Sequence, residues 1–260
     1  MVARSLIVLA VACSSKQPAV RADDAAKPAP PRSDAATLDA GSAGSGSAGI
    51  ATTGIGEVAI RVEWKNVPTA MRASPGKTPC NTPRAPSVTP TTTWGIPEVV
   101  VFIPAVLSVS PEARITLADC ALSPRLVAGA EFVVESAMDR PAKLVLTKRG
   151  TITTLPALVT GDVRNVQLPI AGHAVELPLE ADGIYQLATD GKDPELAWLV
   201  AGKAAITDAS GLATFKVVSR GTHAVTAWLP PRAGQPARFA RGTVTVVANE
   251  LAELTLQLVP

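Results

Sequence analysis

The sequence predicts an all-β protein: two β-sandwiches that follow a disordered tether. Three observations carry this prediction. Val, Thr and Leu are abundant beyond Gly54, while helix-forming stretches are almost absent. Apolar and polar residues alternate over short runs, the period of a half-buried strand. Turn residues separate these runs at sandwich-like spacing, and 23 prolines in 260 residues exceed the usual ~5%.

The elements follow in order. Arg4 precedes the apolar run Leu6-Ile7-Val8-Leu9-Ala10-Val11-Ala12, and Cys13 follows it. A bilayer-spanning helix needs about 20 apolar residues, so this run is too short to be one. A basic start, a short apolar core and small residues before a cut describe a signal peptide over 1–12. A cysteine at the cut resembles a bacterial lipobox. That resemblance implies that the Cys13 thiol is lipidated and becomes the new N-terminus of a cell-envelope lipoprotein. Ser14 after it resembles the arrangement sent to the outer membrane. Ala10 stands where such signals usually carry Leu, and the alternative is an ordinary signal with a stray cysteine.

Residues 13–53 then form the lipidated N-terminus and a flexible linker. Lys27-Pro28-Ala29-Pro30-Pro31 is stiff, Gly41-Ser42-Ala43-Gly44-Ser45-Gly46-Ser47 is a flexible coil, and no apolar period runs through either. Residues 54–104 hold the first strands and a long loop. Val58, Ile60, Val62 and Trp64 alternate with Glu57, Ala59, Arg61 and Glu63, which predicts a strand with one buried face. Asn66 to Pro97 is Pro- and Thr-rich and predicts a loop. Glu98-Val99-Val100-Val101-Phe102-Ile103 is a near-continuous apolar strand and should be central.

Residues 105–201 predict strands near Arg114–Asp119, Arg125–Val127, Glu131–Glu135, Ala142–Thr147, Thr151–Leu158, Val163–Pro169, Ala174–Leu179, Gly183–Ala188 and Ala197–Ala201. Residues 202–260 predict others near Ala204–Thr207, Ala213–Val218, Thr222–Leu229, Arg241–Val247 and Leu251–Val259. Strand 56–64 either stands with its neighbours in sequence or completes the last sandwich, with the middle one inserted. Cys80 and Cys120 remain after lipidation, and thiols outside the cytosol oxidise. A bridge between them would close a loop of about 40 residues, worth roughly 4 kcal/mol. The alternative is two free buried cysteines.

Two stretches resemble known families. Ala205-Ile206-Thr207-Asp208-Ala209-Ser210-Gly211-Leu212-Ala213-Thr214-Phe215, then Gly221-Thr222-His223-Ala224-Val225-Thr226-Ala227-Trp228, is similar to a carboxypeptidase regulatory-like domain. This is a transthyretin-like sandwich, accessory and non-catalytic as a rule, and His223 replaces its usual tyrosine. In the middle, Ile115-Thr116-Leu117-Ala118-Asp119-Cys120-Ala121-Leu122-Ser123-Pro124, Ala128-Gly129-Ala130-Glu131-Phe132, Ser136-Ala137-Met138-Asp139 and Gly183-Ile184-Tyr185 resemble a Greek-key cupredoxin. Cupredoxins of this kind are fused to that module in methylamine-utilisation-like periplasmic proteins. The resemblance implies a copper site, which needs a thiolate, two imidazoles and a weak thioether. On this alignment Lys143, Asp190, Asp193 and Leu196 occupy the ligand positions, so they are vestigial and the sequence implies no metal or cofactor. A salt bridge from Lys143 to Asp190 or Asp193 is expected in the metal's place; the alternative is three solvated loop charges.

Other candidates are sparse. Asp190, Asp193 and Glu195 miss the spacing of a calcium loop. His173 is expected exposed in a turn, and His223 at a core position. Trp94 is expected to cap the long loop, although Trp64, Trp94 or Trp198 could supply a binding aromatic. The net charge of +2, from 24 basic and 22 acidic residues, leaves no basic stripe for nucleic acid. No serine sits in a Gly-x-Ser-x-Gly elbow. The expected function is therefore non-enzymatic: an envelope protein, membrane-bound through its lipid anchor, that binds or scaffolds an envelope protein or glycan. A copper- or redox-related periplasmic role and a carbohydrate-binding module are the alternatives.

Overall fold

Alternation decides the first strand. In β1 (Ile55–Glu63) Val58, Ile60 and Val62 point to one face and are fully buried. The computed structural model describes residues 54–108, 112–155, 157–232 and 235–259. Cys13 and residues 1–53, with the lipidation and linker expectations attached to them, lie outside the described residues.

After β1 come a short helix, α1 (Thr69–Arg72), and β2 (Val100–Phe102). The chain then builds β3 (Glu112–Ala118), β4 (Ala121–Ser123), β5 (Leu126–Gly129), β6 (Glu131–Ser136), β7 (Ala142–Thr151), β8 (Val163–Leu168), β9 (Ala174–Leu177), β10 (Gly183–Thr189) and β11 (Leu196–Ala201). It ends with β12 (Ala204–Ile206), β13 (Leu212–Ser219), β14 (Gly221–Leu229), β15 (Arg238–Val246) and β16 (Leu251–Gln257). Four sheets result, in the orders β13-β1-β16, β12-β2-β14-β15, β4-β3-β6-β9 and β5-β11-β10-β7-β8. The fold is all-β, as expected.

The pairing interleaves the two sandwiches. β1 lies antiparallel to β13 and parallel to β16, and β2 pairs with β12 and β14. Strands from both ends of the chain thus share one core, which includes Val58, Ile60, Val101, Phe215, Val225 and Ala227. β3 to β11 form the inserted sandwich around Ile115, Leu117, Phe132, Leu144, Leu187 and Leu199.

A third apolar cluster lies between the sandwiches. Val100 and Phe102 of β2, Ile184 of β10, Trp198 and Val200 of β11 and Trp228 of β14 meet there. This explains the unbroken apolar runs. In β2, Val101 faces one core while Val100 and Phe102 face the other layer. In β11, Ala197, Leu199 and Ala201 face the inserted core while Trp198 and Val200 face outward to the junction. A strand buried on both faces has no polar face to alternate with. Trp198 and Trp228 pack edge to face at 5.4 Å between ring centroids.

Two local expectations change. The strand expected near Thr151–Leu158 is not found among the described residues: β7 ends at Thr151, and Ile152–Thr154 forms a 3-10 turn. Gly150 takes a φ of 132°, and the Thr154 hydroxyl bonds both the amide and the carbonyl of Thr151. Threonine hydroxyls compete here with the strand ladder for backbone groups. The second change is an added strand, β4, which pairs back on β3 through Asp119-Cys120. Both turn residues have positive φ, 48° and 61°, the two-residue hairpin geometry usually built with Asn-Gly.

The long loop 66–97 acts as a strap between the sandwiches. Met71 of α1 and Val88 are buried in the first core, and the Val88 amide donates to the Met71 carbonyl at 3.0 Å. Cys80 is joined to Cys120 at the tip of the β3–β4 hairpin, with Cα atoms 5.6 Å apart. The hydroxyls of Thr78 and Thr82 donate to the Asp119 carbonyl beside it. Both ends of the strap therefore belong to the first sandwich and its middle to the inserted one.

Candidate functional site

The four positions expected to match copper ligands lie around the same end of the inserted sandwich. Lys143 is on β7, and its carbonyl accepts the Asp190 amide at 3.3 Å. The Asp193 carbonyl accepts from Arg84, and Leu196 opens β11 opposite Ala188. The backbones are close, but the charges do not pair. Among the described residues no ion pair joins Lys143 to Asp190 or Asp193. The acid used at this end is Glu195, which pairs with Arg84 of the strap. Among the described residues no three His, Cys, Asp or Glu side chains converge as a metal-binding group would.

The histidines divide. His173 is exposed in the turn before β9, as expected. His223 is half-buried on β14 rather than in the core, with Nε2 2.7 Å from the Ser219 carbonyl oxygen. The register puts it opposite Val244, two residues into the strand from its frayed, partly exposed start. Trp64 and Trp198 are buried, and the Arg238 guanidinium lies 4.2 Å from the Trp64 ring centre. Trp94 is 45% exposed.

The charged side chains that do converge, Arg84, Glu98, Arg125, Glu195 and Arg232, come from five separate segments. Glu98 sits just before β2 with φ 58°, fixed there by Thr207. The Thr207 carbonyl accepts the Glu98 amide at 3.1 Å, and its buried hydroxyl bonds the Val99 amide and the Ile96 carbonyl. The Glu98 carboxylate then accepts from Arg125, ahead of β5, at 2.8 Å and from Arg232, beyond β14, at 2.6 Å. Each arginine also holds the strap. Arg125 donates to the carbonyls of Ala85 and Pro86, and Arg232 to that of Ser87 at 2.9 Å. Arg84, on the strap, pairs with Glu195 and donates to the Asp193 carbonyl at 2.9 Å.

Arg84, Arg125, Arg232 and Glu195 line a cavity of about 150 Å³ together with Pro75 and Ser87, and Glu98 pairs with two of these arginines. Its electrostatics are uneven. Burial pushes the Glu98 carboxyl up, but Arg232 and Arg125 outweigh that and hold it below its ordinary value. Burial also pulls the Arg232 guanidinium below its ordinary value, against the opposing pull of Glu98. Arg232 keeps its Nε and Nη2 groups buried with no hydrogen-bond partner among the described residues.

None of these four residues, Arg84, Glu98, Arg125 and Arg232, stands out by spacing or motif. Glu98 is separated from Arg125 by 27 residues and from Arg232 by 134. The one sequence signal was Glu98 itself, an acid placed between Pro97 and an apolar run. Comparison with family models, curated proteins and solved structures finds no match to this chain.

Proposed function

We propose that this chain is a non-enzymatic binding protein of the bacterial cell envelope, held at the membrane by a lipid on Cys13. Its ligand seats at the junction of the two sandwiches and the strap. The observation that carries this is the charged cavity at that junction, where Arg84, Arg125 and Arg232 meet Glu98 and Glu195. Junctions between packed domains are where binding clefts usually form. Both family resemblances fit the reading, since one module is accessory and the other has lost its copper-binding side chains.

Labelling of cells with radioactive palmitate tests the anchor. Wild-type chain is expected to carry label in the outer-membrane fraction and Cys13→Ser to carry none. Binding is tested with the full-length chain and its Arg84→Gln variant on an array of envelope glycans and peptides. A ligand held by the wild type and weakened in the variant supports the proposal; turnover of any substrate, or an empty array, ends it.

A glycan is the second reading, and Trp94 favours it. This exposed indole has φ 65°, and its carbonyl accepts the Trp64 amide while its amide donates to Thr91, each at 3.0 Å. The turn is thus pinned to β1 with an aromatic face held outward. If glycans are the ligand, Trp94→Ala weakens array binding more than Arg84→Gln does.

A further inference from the structure

We infer that the junction cavity binds a carboxylate group on a short aliphatic stem, with Arg232 as its main anchor and Arg84 as the second. This rests on the binding role proposed above and specifies its ligand. The charges do not balance: Arg84, Arg125 and Arg232 line the cavity with Glu195, and Glu98 pairs with two of them, which leaves one positive charge over. A single carboxylate neutralises it.

Arg232 supplies the geometry. Its side chain is only 10% exposed, and its Nη1 serves both Glu98 and Ser87. Its Nε and Nη2 have no partner among the described residues. Leaving buried donors of a charged group unpaired costs free energy that a matching acceptor recovers. An arginine presents its donors as a planar fork, which a carboxylate meets with two parallel bonds. The unpaired edge lies beneath the surface, so the side chains around it shift to admit the acid while Nη1 keeps Glu98 and Ser87, and side-chain shifts of this kind commonly accompany binding.

Size selects among anions. A cavity of about 150 Å³ has room for a carboxylate and a few carbons. Pro75, Pro194 and Leu196 offer apolar wall for the stem. The carboxylate arrives either on a free small acid or at the end of a larger molecule, as a peptide C-terminus or a uronic acid.

The test is calorimetric titration of the full-length chain with butyrate, tri-alanine, galacturonate, butyramide and inorganic phosphate. At least one of the three acids is expected to bind ten times or more tightly than butyramide, the neutral isostere, and than phosphate. Butyrate binding points to a free acid; tri-alanine or galacturonate binding tighter than butyrate points to the larger source. Arg232→Gln is expected to abolish the binding. Because that change also removes a Glu98 partner, Arg84→Lys, which keeps the charge but loses the fork, provides the second variant and should weaken binding at least threefold. Equal binding of butyramide, preference for phosphate, no binding of any acid, or full binding by folded Arg232→Gln would each overturn the inference. An array ligand that none of the acids displaces ends the carboxylate assignment while leaving the binding role intact.

Discussion

Replacing Glu98 by Gln removes one charge and almost no volume, so it isolates what the carboxylate does at the junction. In the wild type the Glu98 carboxylate accepts from Arg125 and Arg232, whose side chains are 23% and 10% exposed. Without it two guanidinium groups face each other with no counter-charge between them, and Arg232 already has two unpartnered donors. Removing one partner of a buried pair costs about 3–5 kcal/mol. Glu98 is itself 31% exposed, so water recovers part of this, and the expected loss is about 2–3 kcal/mol. For a folded unit of this size that lowers Tm by about 5–10 °C. Scanning calorimetry on wild type and Glu98→Gln at pH 7 measures it. The pH dependence supplies an independent check. The folded-state pKa of Glu98 lies below the ordinary 4.5, so its contribution is fully present above 4.5 and is lost as pH falls through the folded value. The gap between the two proteins should therefore close in acid. A Tm within 1 °C of wild type at pH 7, or a gap that persists undiminished in acid, would refute the reasoning.

Three further outcomes follow from the fold. Cys80→Ser frees a strap closed across 40 residues, and chemical denaturation should show a loss of about 4 kcal/mol, reproduced in the wild type by reductant. Trp228→Ala empties the layer between the sandwiches and should cost about 3–5 kcal/mol, with tryptophan fluorescence and circular dichroism reporting whether the two sandwiches then unfold separately. Gly211→Ala should destabilise by more than 1 kcal/mol, roughly, in thermal melts: its φ is 84°, and a Cβ would stand 2.6 Å from the Gly95 Cα. Neighbouring Ser210→Ala, which lacks both constraints, should cost less.

Much of the strand pattern was legible, for a local reason. β1 and β13 each have one core face and one wetter face, and period-two alternation records that directly. The turn Asp208-Ala209-Ser210-Gly211 was legible too, because the Asp208 carboxylate bonds the amides of Ser210 and Leu212 within its own turn. β4 was not. Its Asp119-Cys120 turn carries neither Asn nor Gly, and the disulfide with Thr78 and Thr82 holds that geometry from outside. The salt bridge expected of Lys143 failed on the same ground: adjacency of backbone does not aim a side chain, and Arg84 from a distant segment took up the neighbouring Glu195.

Most strands, and the turns built on Asp, Asn or Gly, were written in order along the chain, since short-range sterics and side-chain period suffice for them. Partnership was settled in three dimensions. That β1 and β2 share a core with β12 to β16, that β2 and β11 lie back to back on a tryptophan pair, and that Glu98 meets arginines from two other segments are consequences of packing. Burying apolar faces is non-directional and leaves many pairings open until the whole chain is assembled. Only then do single charges far apart in sequence come to line one cavity.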